Sequence, residues 1–552
     1  MYIVPDTIIK IYSGIPLDNS YENTLWFENI SAQNSYFHGG LSKYTLAENS
    51  YQRVGRGKMR VGIQAENLYD CNYLAFQNSA FGNKWFYAFI LNVDYINNET
   101  SEITFEIDIM QTYYFDVQLK ECFVEREHSI TDEVGDNLVP ENLELGEYVD
   151  IDEGGMGLSN YKAVLMVAQD PTTNVLMPGD QAEPTIVGNT LQCVKYLAYD
   201  IDSSSIVSGL PALKQKLQTY STAGNIDAIL GLYLIPSELI DSNYPPEQTQ
   251  VSATPVEYTK SLTKRNTGTF EGYSPKNNKL FTYPYNFLYV TNMCGNSAVY
   301  HYELFSGAVC PFKWYGVATA NTEIILFPRK YKNVEEENLD EAISVKGFPQ
   351  CAYNVDAFRA WLAQNTGSIG ATILATAIAG MAVGGFGGAI GGPIGWTEGL
   401  AKIYSGTATV TGATATQTAV GIGGLVGVTQ TLGKVYDHAV QPTQTRGNDT
   451  TTILSAIRKL DFRFFNKRIR GEFAKIIDEY FTMYGYATHR VKIPNTHART
   501  KWTYTKTRGC NIVGHCPADD IKRMKEIYDK GITFWVNANE VGNYHMTNSI
   551  IT

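Results

Sequence analysis

The chain has 552 residues, enough for roughly three to four domains of ordinary size and a large buried core. Forty-four basic residues against 56 acidic ones give a formal charge of −12. That balance argues against an outer surface that grips nucleic acid by its phosphates, but suits a repulsive wall past which a polyanion slides. Thirty-seven tyrosines in a chain with only 18% charged residues lean towards strands and interfaces.

The first 125 residues read as strands. Ile103, Phe105, Ile107 and Ile109 alternate with Thr104, Glu106 and Asp108, the period of a sheet with one buried face. The aromatic and β-branched run from Lys84 to Tyr95 precedes it, and Asn97-Asn98-Glu99 supplies the turn of a hairpin. From Glu121 to Glu153 come twelve acids against one base, Arg126. Such a block reads first as a solvated connector, with a calcium site or a DNA-repelling surface as the functional readings. Asp150-Ile151-Asp152-Glu153-Gly154 has the start of an EF-hand but no later Glu, so that reading is rejected.

Residues 160–330 read as a mixed α/β unit. Ala163 to Ala168 and Ala228 to Ile235 are apolar runs of strand type, and between them Pro211 to Tyr220 forms a short amphipathic helix opened by proline. Pro245-Pro246 and the polar run Thr263 to Asn278 mark loops. A polar bridge, Asn333 to Glu341, leads to a helix expected over Tyr353 to Asn365. Between Arg458 and Arg508 lie thirteen bases and four acids. This stretch could meet DNA, anionic lipid or an acidic face, and the acidic block from Glu121 to Glu153 offers it a complement within the assembly itself. Gly471 to Tyr484 is helical by pattern, with Phe473, Ile476, Ile477, Tyr480, Phe481 and Tyr484 expected on the inward face. A last helix opens at Pro517 with Asp519 and Asp520 in its first turn, turns Ile521, Met524 and Ile527 inward, and closes at Lys530-Gly531 before a strand, Ile532 to Val536.

No catalytic constellation emerges. Gly433-Lys434 lacks the preceding glycine and following hydroxyl of a phosphate-binding loop, and no H-E-x-x-H or G-x-S-x-G occurs. The eight cysteines (Cys71, Cys122, Cys193, Cys294, Cys310, Cys351, Cys510, Cys516) form no C-x-x-C, and His515 beside Cys516 has no matching pair. They read as free thiols of a chain made in the cytosol. The N-terminus has no basic region followed by an apolar block, so no signal peptide is expected. The expectation is a protein that is not an enzyme and needs no cofactor or metal.

One stretch differs from everything else. From Ala360 to Thr397 there are 38 residues without a charge, and from Ile403 to Gly433 another 31. A helix crosses a bilayer core with about 20 mostly apolar residues, so either run is long enough. Gly380, Gly384, Gly388 and Gly392 recur at every fourth position, a small-residue stripe along which two helices could approach in lipid. Against a permanent span stand the glycines themselves and the threonines from Thr407 to Thr418. A segment hidden in one state and membrane-inserted in another fits this composition, and so does a flexible or tightly packed Gly/Ala/Thr-rich loop.

Four runs carry a family resemblance: Tyr12 to Asn19 (YSGIPLDN), Phe123 to Tyr148, Phe348 to Asn365, and Ile477 to Asn511. In the same order, and with the apolar insertion in the same place, they resemble the tail knob proteins of short-tailed bacteriophages of the phi 29 type. The resemblance implies a mainly β fold with α+β parts: a multidomain subunit of a ring-shaped hexameric tube with an inserted long hydrophobic loop. The domains expected are a β-rich tube domain (1–125), a mixed α/β domain (126–340) and a C-terminal α+β domain (341–366 and 434–552), with the loop at 367–433. The implied partners are five further copies of the chain, the phage collar and tail tube proteins, the host membrane, and genomic DNA passing without sequence-specific contact. The loop would plug the lumen and, on infection, be released to form a pore. Its membrane-active residues would be Ile369, Ile373, Leu374, Ile378, Gly380, Met381, Val383, Gly384, Phe386, Gly388, Ile390 and Trp396 in the first run and Ile422, Leu425 and Val426 in the second, with Gly367 and Gly433 as hinges. A tail-tip cell-wall hydrolase and a receptor-binding adhesin are the alternatives.

Overall fold

A computed structural model describes residues 6–49, 57–158, 160–167, 186–187, 190–191, 195–200, 209–225, 228–240, 256–318, 322–348, 350–352 and 460–551. The chain divides into two compact units, one of Met1–Glu147, Thr267–Tyr285 and Ile469–Thr552, the other of Tyr148–Asn266 and Asn286–Arg468. Sheets dominate both, as expected of a mainly β fold.

In the first unit a six-stranded sheet runs in the order Tyr44–Asn49, Thr7–Ser13, Cys71–Gln77, Trp85–Asn97, Thr100–Ile107, Lys58–Val61, with antiparallel neighbours throughout. The expected hairpin is there: Asn97 pairs with Thr100 across the two-residue turn Asn98-Glu99. Ile103 and Phe105 point into one apolar layer with Ile9, Ile11, Met59, Val61 and Leu74. The alternation ends sooner than the sequence suggested. Asp108 caps a short helix, Ile109–Tyr113, accepting from the Met110 and Gln111 amides, because a carboxylate satisfies helix-start N–H groups better than it extends a strand. A further helix, Ile30–His38, capped by the Asn29 side chain, interrupts the strands expected there.

The other face of this sheet, with Tyr12, Tyr73, Tyr87 and Phe89, shares a core with Trp502, Met524, Tyr528 and Trp535. Those residues belong to or flank a five-stranded sheet ordered Asn23–Leu25, Ile532–Trp535, Trp502–Arg508, Cys122–Glu127, Tyr486–Lys492. The last helix, Ala518–Lys530, has Pro517 at its N-cap and Gly531 at its C-cap, and buries Met524 and Ile527 as the pattern predicted.

The helix Gly471–Tyr484 has the expected limits but a rotated face. It buries Ala474, Ile477, Asp478, Phe481 and Thr482, while Ile476 is 64% exposed and Tyr484 lies at the surface. Apolar spacing alone misplaced the stripe because Asp478, polar in the sequence, is fully buried as an acceptor. It takes hydrogen bonds from the Tyr273 hydroxyl (2.7 Å), the Lys276 and Asn277 amides (2.7 and 3.0 Å) and the Asn277 side chain (2.9 Å).

The second unit is built on one large core around Trp314, Tyr300, Tyr331, Phe312 and Phe464. Its sheets are Lys195–Asp200, Tyr161–Val167, Ile229–Pro236, Gln350–Ala352; then Tyr148–Gly155, Arg463–Ile469, Asn286–Thr291, Ser297–Tyr300; and a five-stranded sheet on Val256–Thr263, Val309–Gly316 and Glu323–Tyr331. The two apolar runs read as strands are strands, and the proline-opened helix spans Leu210–Thr222.

Candidate functional site: the roots of the uncharged insertion

The loop 367–433, with its hinges Gly367 and Gly433 and every membrane-active residue named above, falls within residues 353–459, outside the described residues, as does the helix expected over Tyr353 to Asn365. What the structure defines is where that stretch leaves the fold and where it returns. Both points belong to the second unit.

The departure is the strand Gln350–Ala352, which pairs antiparallel with Ile229–Pro236 so that Ala352 faces Gly231, Cys351 faces Leu232 and Gln350 faces Tyr233. The return is Leu460, 1% exposed, whose carbonyl accepts the Tyr161 hydroxyl at 3.4 Å. Tyr161 opens the strand Tyr161–Val167, which pairs with the same Ile229–Pro236 strand. Both roots are therefore tied to one four-stranded sheet. Along it, Gly231 is opposite Met166 and Pro236 opposite Tyr161, five residue steps apart. At about 3.3 Å per residue the departure and return sit roughly 17 Å apart along the strand direction.

The return is locked by Asp461, 8% exposed. Its carboxylate accepts the Met156 amide at 2.9 Å and the Gly157 amide at 3.0 Å, and the Met156 amide also donates to the Phe462 carbonyl at 3.2 Å. Burial raises the Asp461 pKa, with the backbone N–H donors opposing it. Gly155 leaves the room this requires, since a Cβ there would overlap the Asp461 carboxylate. Sequence reading passed over Asp461. Its signal is slight: one acid among the bases Arg458, Lys459 and Arg463, beside the end of the insertion.

The acidic block finds its complement within the chain. In the second unit Asp152 pairs with Arg463, Asp150 with Lys467 (2.7 Å) and Glu153 with Arg265 (2.8 Å). In the first, Glu125 pairs with Lys506 (2.8 Å), Glu127 with Lys492 (2.5 Å), and Glu141 with both Arg126 and Lys279 (2.6 Å), the Glu141 and Lys279 side chains being 1% and 3% exposed. The block is thus no mere connector: Cys122–Glu127 and Tyr148–Gly155 are strands whose acids line up with cationic residues, most of them on neighbouring strands. A buried pair of this kind is stable only while both partners are present.

Among the described residues no group of three or more His, Cys, Asp or Glu could hold a metal ion. None of their helices is long and apolar enough to cross a membrane. His128 is buried and committed to structure: its Nδ1 accepts the Tyr504 amide (2.8 Å) and its Nε2 faces the Thr482 carbonyl (3.1 Å). Burial, with Arg499 adding repulsion, lowers its pKa to about 3.

The fold resembles that of the bacteriophage C1 tail knob protein gp12, with a TM-score of 0.57 at 14% identity over 99% of this chain and 100% of that one. Residues 5–118 match the family of caudoviral major tail protein N-termini. Residues 243–549, more than half of the chain, match the C-terminal domain of the tail knob protein gp9 of Bacillus phage phi29. The chain belongs to this family of phi29-type tail knob proteins, which are virion tail components. It is 23% identical to the tail knob protein gp9 of Bacillus phage B103 and 24% identical to that of Bacillus phage PZA, each over 99% of this chain and 98% of the relative.

Proposed function

We propose that this chain is the subunit of a distal tail tube, closed as a homo-hexamer on the collar and tail tube proteins, and that its insertion is the membrane-active element. In this reading the 367–433 loops of six copies plug the lumen, leave it on infection and open a pore in the host membrane for the genome. The protein is a structural component of the virion rather than an enzyme. DNA passes a wall built of subunits whose net charge is negative.

The observation that carries the reading is the pair of uncharged runs, 38 and 31 residues long, in a tail knob family member. Each exceeds the length a helix needs to span the hydrocarbon core. The roots support it: a return clamped by Asp461 and a departure paired into a sheet let the intervening chain relocate while its ends stay fixed. Closure by repetition of one head-to-tail interface gives a ring in which six apolar segments can bury one another.

The test is dye release from liposomes, comparing the intact protein with a variant joining Asn365 directly to Lys434. Leakage that requires 367–433 supports the reading. Equal leakage from both, or none from either, would assign the membrane step to another tail component. Sedimentation of the purified protein only as a monomer would remove the hexamer.

A further inference from the structure

Cys122 and Cys510 are separated by 388 positions in the sequence and lie together in the first unit. Cys122 begins the strand Cys122–Glu127, which pairs antiparallel with Trp502–Arg508 so that Phe123 faces Arg508. The register continues past the strand end, since the Lys120 amide donates to the Asn511 carbonyl at 2.8 Å. Between those two links the chain bends at Gly509, whose φ of +70° is the left-handed conformation that favours glycine, and the next residue is Cys510. Asp529 fixes this bend by accepting the Gly509 and Cys510 amides at 3.1 and 3.0 Å and the Thr507 hydroxyl at 2.7 Å. The two cysteines are 6% and 5% exposed, both thiols are free, and Cys122 is a near enough neighbour to act on the Cys510 thiol.

From this geometry we infer that Cys122 and Cys510 are a latent disulfide, reduced while the chain is made and closed by exchange with a small-molecule disulfide once the protein is outside the cell. A protein thiolate attacks one sulfur of the small disulfide, forming a mixed disulfide and expelling one small thiolate, which takes up the proton the protein thiol lost. The second protein thiolate then attacks the protein sulfur of that mixed disulfide and expels the other small thiolate. In balance, two protein thiols and one small disulfide give one protein disulfide and two small thiols, which receive the two protons and two electrons the protein gives up. Burial holds the Cys510 thiol up at about 12, with the neighbouring Cys122 reinforcing it, so little Cys510 thiolate is present at neutral pH and the step in which Cys510 attacks is slow in the folded state. Slow closure suits a bond that must stay open during assembly. The chemistry is independent of the proposed function; only its occasion, release of a virion into an oxidising medium, rests on that reading.

Cys122 lies before the insertion in sequence and Cys510 after it, so the bond would close the first unit covalently around every residue between them. The test uses the full-length protein, incubated with oxidised glutathione or with dithiothreitol, then alkylated, digested and analysed by mass spectrometry. The expected result is a cross-linked peptide pair joining Cys122 to Cys510, lighter by two hydrogens, formed only with oxidant. Cys122→Ser and Cys510→Ser must each abolish it. The unmutated protein should also show a rise of roughly 10 °C in its first-unit thermal midpoint on oxidation, the size expected for closing a long loop, and neither variant should show it. Recovery of both cysteines as free thiols after oxidation near the thermal midpoint, or their linkage to other cysteines, would overturn the inference. Liposome leakage plays no part in this readout, so its failure and that of the proposed function are told apart.

Discussion

Asp461→Ala is the perturbation that most directly probes the root of the insertion. The carboxylate supplies acceptors for the Met156 and Gly157 amides, and the Met156 amide keeps a second, longer bond to the Phe462 carbonyl. A charged acceptor is ordinarily worth about 1.5–3 kcal/mol per bond, but the raised Asp461 pKa shows that desolvation takes back part of this. About 1 kcal/mol per bond remains, or about 2 kcal/mol for local opening. In the exchange regime where rate follows the open population, that is roughly a 30-fold acceleration of amide exchange at Met156 and Gly157. Hydrogen exchange read by mass spectrometry on peptides covering 154–158 and 161–167 measures it. The strand Tyr161–Val167 serves as the control, because its ladder bonds are untouched. Asp461→Asn keeps one acceptor and turns an amino group towards the other N–H, so it should fall between the native protein and Asp461→Ala. An acceleration below about threefold at 154–158, or equal acceleration in both peptides, would refute the clamp. The pH dependence has a definite sign. Because the folded pKa lies above the unfolded one, the folded state binds protons more readily, and acidification through this range stabilises the clamp instead of weakening it.

Three further outcomes follow from the first unit. Asp478→Ala takes the carboxylate acceptor from the Tyr273 hydroxyl and the Lys276 and Asn277 amides, while the Asn277 side chain keeps its bonds to the Asp478 carbonyl and Thr482, and a loss of about 3 kcal/mol should lower the calorimetric transition by roughly 6–12 °C; a change under about 2 °C would show the network to be dispensable. His128 acts in the opposite sense to Asp461. Its folded pKa of about 3 lies below the ordinary 6.5, so its contribution is intact above 6.5 and is lost progressively as pH falls towards 3; a His128→Gln variant should show a flatter fall of midpoint with pH over that window, and parallel curves would discount the histidine. Gly485→Ala must place a Cβ at φ +65° against the Glu127 carbonyl, and a loss of about 3 kcal/mol or more should appear as a lowered midpoint or an insoluble product; native-like melting would mean that this backbone contact yields easily.

Local pattern carried much of the architecture. The hairpin around Asn98-Glu99, the strands at 161–167 and 229–236, and the two C-terminal helices are where periodicity, turn chemistry and capping residues placed them. Legibility failed where a polar side chain does the work of a core residue. Asp478 turns the helix face, Asp108 ends a strand by capping a helix, and Glu127 and Glu141 sit buried in a block that reads as solvated, because their partners are hundreds or tens of residues away. The same is true at the insertion. Its length and lack of charge are visible in the sequence, but the residue that holds its return, Asp461, is recognised only through amides some 305 positions earlier.

The parallel pairing of Asn23–Leu25 with Ile532–Trp535 bears on how the chain is made. The strand that joins the N-terminal segment to its sheet leaves the ribosome about five hundred residues after that segment. Until it emerges, Trp535 is missing from the core around Tyr12 and Tyr73, and Asn23–Leu25 has no neighbour. The two uncharged runs, by contrast, are complete more than a hundred residues earlier. Each nascent subunit thus passes through an interval in which its stickiest segments exist and the first unit is unfinished. Contacts of such sequence separation are also the slowest to form. Folding of this protein is therefore a race between C-terminal completion and aggregation, and slowing translation beyond residue 433 should lower its soluble yield more than slowing it before residue 360.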